Sequence, residues 1–292
     1  MISGSIVAIV TPMHVDGSVD DESLYKLLEW HVESGTDAVV TVGTTGESAT
    51  LNHDEHCEVI GKTIDYVNGR MPVIAGTGAN STSEAIELTR FAAKAGADAA
   101  LLVTPYYNKP TQEGLFQHYR LVAESVDIPQ ILYNVPGRTA VDMAVETVVR
   151  LAEIPNIVGL KEAAEDGPER IAALRQGCGD AFALYSGNDD TARQFVLNGG
   201  NGVISVTANV VPAAMHDMIA AALAGDRETA AAIDGKLSLL HQRLFIESSP
   251  IPVKWALAEM HRIETGIRLP LTWLDDEYHT AVREALAHAG IQ

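Results

Sequence analysis

The chain has 292 residues, 47% of them hydrophobic, with 20 Lys and Arg against 39 Asp and Glu for a formal net charge of −19. One large core can be buried at that length, and the negative field disfavours nucleic acid and anionic membranes, whose binders need a positive footprint. No apolar stretch approaches the roughly 20 residues of a membrane span, and Met1-Ile2-Ser3-Gly4 leads into a strand pattern without a charged leader, so a cytoplasmic protein is expected.

Short, β-rich apolar runs follow one another: Ser5 to Val10, Ala38 to Val42, Pro72 to Gly76, Ala99 to Thr104, Gln130 to Asn134, Ile157 to Lys161, Phe182 to Ser186 and Gly202 to Val206. Between them, segments such as Asp21 to Ser34, Thr82 to Ala95 and Gln112 to Ser125 place apolar residues at helical spacing. Polar starts such as Ser81-Thr82-Ser83-Glu84 and glycine stops at Gly35 and Gly96 bound them. Strand, helix, strand in series means parallel pairing, and runs apolar at nearly every position are buried on both faces. Eight such units predict an α/β fold of the (β/α)8 TIM barrel type. A doubly wound open sheet would carry a glycine-rich dinucleotide fingerprint after its first strand, whereas Thr11-Pro12-Met13-His14 stands there. The alanine-rich region from Ala213 to Gly290, broken at Gly225-Asp226 and Ser248-Ser249-Pro250-Ile251-Pro252, exceeds one closing helix. The expected division is a catalytic barrel over 1–224 and a C-terminal helical extension over 225–292. Cys57 and Cys178 lack CxxC spacing and read as structural thiols of a reducing compartment.

Chemistry in such a barrel gathers at the C-terminal ends of the strands. The second run ends in Gly43-Thr44-Thr45-Gly46-Glu47, the fourth in Thr104-Pro105-Tyr106-Tyr107-Asn108, the fifth in Tyr133-Asn134-Val135-Pro136-Gly137-Arg138, the sixth in Lys161-Glu162 and the seventh in Ser186-Gly187-Asn188-Asp189. Lys161 closes an apolar run, where an ammonium group is costly to desolvate and the free amine, a nucleophile toward carbonyls, is favoured. A lysine that has merely cleared the core is the bland alternative, just as the threonines could only cap a turn and the tyrosines only pack. Read jointly, the set holds an amine nucleophile, hydroxyls for proton transfer, N–H groups for a small carboxylate and an arginine, after the Pro136-Gly137 turn, for another. That is a carbonyl-condensing or carbonyl-cleaving site working through an imine with a 2-oxo acid. It requires no metal or organic cofactor, and the strand ends offer no His and carboxylate set for a divalent ion. His53 and His56, three apart in Asn52-His53-Asp54-Glu55-His56-Cys57, do not have HExxH spacing and read as exposed histidines at a helix cap rather than metal ligands.

The motifs Gly43 to Ser48, Thr104 to Asn108, Tyr133 to Thr139 and Gly159-Leu160-Lys161-Glu162 resemble the signatures of the dihydrodipicolinate synthase family, within the pyruvate-dependent class I aldolase barrels. The resemblance implies condensation of pyruvate with L-aspartate 4-semialdehyde, the first committed step toward diaminopimelate and lysine. By position it makes Lys161 the Schiff-base lysine and Tyr133 the general acid and base. Thr45 and Tyr107 complete a proton relay, Thr44 and Thr45 border the pyruvate carboxylate, and Gly187 and the Ile204 backbone line the pyruvate side. Arg138 would receive the semialdehyde carboxylate. Tyr107 would be inserted from a neighbouring subunit of a homotetramer, a dimer of dimers. Ser48, Ala49, Leu51, His53, His56, Asn80, Glu84 and Tyr106 match the pocket where L-lysine inhibits feedback-sensitive members. Related barrels that cleave sialic or sugar acids share the lysine and tyrosine but generally lack the arginine, and they remain the alternative enzyme. A non-catalytic barrel sensing lysine or pyruvate is the alternative of another class.

Overall fold

A computed structural model of the chain describes residues 1–291. Among them, eight parallel strands close into a barrel in chain order, with β8 returning to β1. The strands are β1 (Gly4–Ala8), β2 (Ala38–Thr41), β3 (Val73–Gly76), β4 (Ala99–Val103), β5 (Gln130–Asn134), β6 (Ile157–Glu162), β7 (Ala183–Ser186) and β8 (Gly202–Ser205). The expected barrel is therefore observed. The strand ends differ slightly from the apolar runs: Val10 is buried but gives its N–H to Asn209 Oδ1 rather than to a neighbouring strand, whereas β6 extends through Glu162. Burial continues past hydrogen-bonded pairing, so an apolar run overestimates a strand that ends inside the core.

Helices α1 (Asp21–Glu33), α2 (His53–Val67), α3 (Thr82–Ala95) and α4 (Gln112–Ser125) cover the first half of the sheet. The second half carries α5 (Pro136–Thr139), α6 (Val145–Ala152), α7 (Gly167–Cys178), α8 (Ala192–Leu197) and α9 (Pro212–Leu223). Local chemistry sets their starts. Asp20 caps α1 by accepting from Ser23 N, and Asn52 with Glu55 forms a reciprocal capping box on α2. Gly96 closes α3 at φ +95°, a left-handed state without penalty for glycine.

Alternation along each strand separates two faces. Ile131 and Tyr133 of β5, Ala183 and Tyr185 of β7 and Ile204 of β8 join Ile6, Val40 and Ile74 in one buried cluster, the barrel interior. Their neighbours Leu132, Leu160 and Leu184 pack outward on the helices. In register, Lys161 pairs with Tyr133 on one side and Tyr185 on the other. This parity turns Lys161 inward.

After α9, Gly225 at φ +77° and the cap Asp226 break the chain before α10 (Arg227–Arg243), followed by α11 (Ile251–Glu259) and α12 (Asp276–His288). Leu237, Leu240, Val253, Trp255 and Val282 of these helices share a buried cluster with Val7, Val39 and Val203 of the barrel. The C-terminal helices thus pack as part of the barrel's outer core.

Candidate active site

Lys161 is 5% exposed, and its Nζ lies 4.3 Å from the centroid of the Tyr133 ring, within cation–π range. A desolvated amine has few compensations, and the aromatic face supplies one. Gly187 closes over it from β7: its N–H donates to Glu162 O at 2.6 Å, and a Cβ at that position would meet Lys161 Cε at 3.1 Å and Ala163 Cβ at 2.5 Å. The position therefore demands glycine through crowding.

Across the mouth, Thr44 and Thr45 follow β2 in a tight coil in which Gly46 N and Ser48 N both donate to Gly43 O. Thr44 and Gly43 share a small cavity with Tyr133, while Thr45 is buried at 5% exposure. Ile204 is fully enclosed on β8. Arg138 is exposed, and its Nη2 donates to Ser249 O at 3.0 Å. The segment expected as a turn is the single helical turn α5, with Pro136 at its first position, where a missing N–H costs nothing.

Tyr107 does not join this group within one protomer. It is 92% exposed and holds a left-handed φ of +73°, a conformation that costs a bulky residue about 1–2 kcal/mol. Asn80 staples the loop around it, donating to Tyr106 O at 3.3 Å and accepting at its own carbonyl from Asn108 Nδ2 at 2.8 Å.

Ser48, Ala49, Leu51, His53, His56, Glu84 and Tyr106 line one cavity of about 260 Å³, which also reaches Thr44 and Arg138. His56 corrects the reading of two exposed histidines. It is 6% exposed, its Nε2 bonds to Gly76 O at 2.8 Å, and burial pulls its pKa below the ordinary value. His53 is exposed. Burial and the nearby Glu84 charge raise the Tyr106 phenol.

Two polar assemblies behind these groups escape sequence reasoning. Glu162, fully buried beside Lys161, accepts from Asn134 Nδ2 and Ala164 N, both at 2.9 Å, and lies 3.4 Å from Arg170 Nη1. Burial raises its pKa, while Arg170 and these donors act against the rise. Glu47 forms a completely enclosed ion pair with Lys254 of α11. Removing one partner of such a pair typically costs about 3–5 kcal/mol, because the other charge is stranded. Both glutamates end motifs conspicuous in the sequence; an acid following a buried strand implies a hidden cation, though not which one.

A model of the Dihydrodipicolinate synthetase family matches residues 1–289. The chain belongs to that family. A 4-hydroxy-tetrahydrodipicolinate synthase of Thioalkalivibrio sulfidiphilus is 67% identical over 291 residues, covering 100% of this chain and 99% of the relative. Among solved structures, the chloride-inhibited dihydrodipicolinate synthase of Acinetobacter baumannii, complexed with pyruvate, superposes with a TM-score of 0.98 at 59% identity over 100% of both chains. The dihydrodipicolinate synthase of Cyanidioschyzon merolae with lysine bound gives a TM-score of 0.96 at 40% identity, covering 100% of this chain and 99% of that one. The dihydrodipicolinate synthetase family thus accounts for the chain from its first strand to its last helix.

Proposed function

We propose that the protein condenses pyruvate with L-aspartate 4-semialdehyde through an imine on Lys161, giving 4-hydroxy-tetrahydrodipicolinate. The observation that carries this reading is the enclosed Lys161 amine on the Tyr133 face, beneath Gly187 and opposite the Thr44-Thr45 coil. Lys161 Nζ adds to the pyruvate C2 carbonyl and water leaves as the C=N bond forms. The imine then acts as an electron sink, so a C3 proton can be removed to give an enamine. The enamine carbon attacks the semialdehyde aldehyde, whose oxygen takes up a proton. The new amino acid's own amine then displaces Lys161 and closes the ring, regenerating the enzyme amine. Tyr133, Thr45 and Tyr107 carry the protons, with Tyr107 supplied by a second protomer of a dimer of dimers. Its exposure and strained backbone support that role. Thr44 and Thr45 receive the pyruvate carboxylate, Gly187 and the Ile204 backbone line its other side, and Arg138 takes the carboxylate of the semialdehyde.

L-Lysine is proposed as a feedback inhibitor in the cavity of Ser48, Ala49, Leu51, His53, His56, Glu84 and Tyr106, with Asn80 holding the loop that bears Tyr106. The lysine-bound relative supports it, as does the continuity of this cavity with Thr44 and Arg138. We read 1–224 as the catalytic unit, 225–292 as its helical extension and the cytoplasm as its location.

A coupled assay with both substrates, with and without lysine, tests this reading. Turnover is expected, with inhibition by millimolar lysine that weakens in Glu84→Ala. Pyruvate release from a sugar acid without consumption in the presence of the semialdehyde would reject the condensation, and indifference to lysine would reject the regulation.

A further inference from the structure

The enclosed pair of Glu47 and Lys254 joins the C-terminal helices to the coil that carries Thr44 and Thr45. Glu47 divides its carboxylate between two residues of that region: Oε1 accepts from Lys254 Nζ, and Oε2 from the backbone N–H of Arg268 at 3.1 Å. The coil itself is strained at both ends, with Val42 at φ +52° and Glu47 at φ +57°. Non-glycine residues keep such a backbone only where their surroundings hold it. Between these ends, Glu47 N donates to Thr44 O at 3.1 Å and Thr11 Oγ1 donates to Gly46 O at 2.7 Å. The hydroxyls and N–H groups of Thr44 and Thr45 are therefore aimed by a backbone whose far end is anchored through the Glu47 side chain. The same region reaches the opposite side of the mouth, where Ser249 O receives Arg138 Nη2.

We infer that Lys254 is a positioning residue for the reaction: through Glu47 it fixes the Thr44-Thr45 coil in the conformation that receives the pyruvate carboxylate. The C-terminal extension then takes part in assembling a site to which it gives no reacting group. Its Nζ is enclosed and engaged by Glu47, so it does not compete with Lys161 as a nucleophile. The inference rests on the Schiff-base reading above. A salt bridge that served folding alone would affect stability and leave the pyruvate affinity of the folded protein unchanged. A positioning pair changes that affinity even when stability is recovered.

The test measures the pyruvate concentration that half-saturates borohydride trapping on Lys161, beside the thermal midpoint, in the wild type, Lys254→Met and the double variant Glu47→Gln with Lys254→Met. The double variant strands no charge, so it keeps the pyruvate measurement open even where the single variant loses its fold. Both variants are expected to need about tenfold more pyruvate or higher. The double variant should keep that shift while regaining most of the lost thermal stability, and kcat at saturating pyruvate should fall less than kcat/KM. Half-saturation of the double variant within about twofold of the wild type overturns the inference while leaving the Schiff-base reading intact. Failure of the wild type itself to form an adduct removes both.

Discussion

Arg138 donates one N–H to Ser249 O from an exposed position on α5, and a guanidinium has five donors in a fork suited to a carboxylate. Choice of the second substrate is proposed to rest on it. Losing a charge-assisted hydrogen bond removes about 1.5–3 kcal/mol, so Arg138→Ala should lower kcat/KM for the semialdehyde by about ten- to a hundredfold. Pyruvate adduct formation in the same variant should stay near wild type, and equal loss of both would contradict the division of roles. At this scale the placement of Lys161, Tyr133 and the two threonines at the C-terminal strand ends was readable in the sequence, because a polar group at the end of a buried strand is conspicuous. Their supports were not. Glu47 and Lys254 are 207 positions apart, and the group that holds Arg138 is a backbone carbonyl, which leaves no mark on residue identity. His56 was misread because a helix start is exposed on one face only, and its ring turns to the other, toward Gly76 O.

Helix packing carries its own pH dependence. His31 on α1 is fully buried, and desolvation, with Arg262 adding repulsion, pulls its pKa down to about 3; burial pulls His118 on α4 to about 4, against an ordinary 6.5. Their ring nitrogens meet Thr36 Oγ1 at 2.8 Å and Thr82 Oγ1 at 2.9 Å. The unfolded chain binds protons at these histidines below pH 6.5 while the folded chain resists until about 4 or 3. The contribution of these two histidines to folding stability is therefore constant above 6.5 and lost on acidification through that window, by at most about 1.4 kcal/mol per pH unit for each group. Glu55, held down to about 2 by Arg268, adds the same sign only below 4.5. Urea unfolding should show this slope between pH 6.5 and 4 in the wild type and a shallower one in His31→Gln with His118→Gln. Identical slopes would show that these rings do not control acid stability. Element types and order followed directly from apolar periodicity, as at α3 and α4, and from glycine stops such as Gly96. The single turn α5 did not, because four residues are too few to display a helical period.

Across the whole molecule, the net charge of −19 opposes the compact state through self-repulsion, and added salt screens it, with a screening length of about 3 Å at 1 M. The thermal midpoint should rise between low salt and 1 M sodium chloride with activity retained; an unchanged or lower midpoint would show that self-repulsion does not limit stability. The closed barrel was readable because eight parallel units bury their sheet as a barrel or as a doubly wound sheet, and Thr11-Pro12-Met13-His14 stands where the latter carries its glycine-rich turn. The role of the C-terminal helices was not, since a helix packed on a barrel has the same pattern whether or not it touches the site. All of the chemistry proposed here depends on one bond between Lys161 Nζ and pyruvate C2. Borohydride reduction in the presence of pyruvate, followed by peptide mass analysis, tests it most directly: the mass of a reduced pyruvate adduct is expected on the Lys161 peptide, with no such adduct and no turnover in Lys161→Ala. Active protein with an unmodified Lys161 would contradict the imine mechanism.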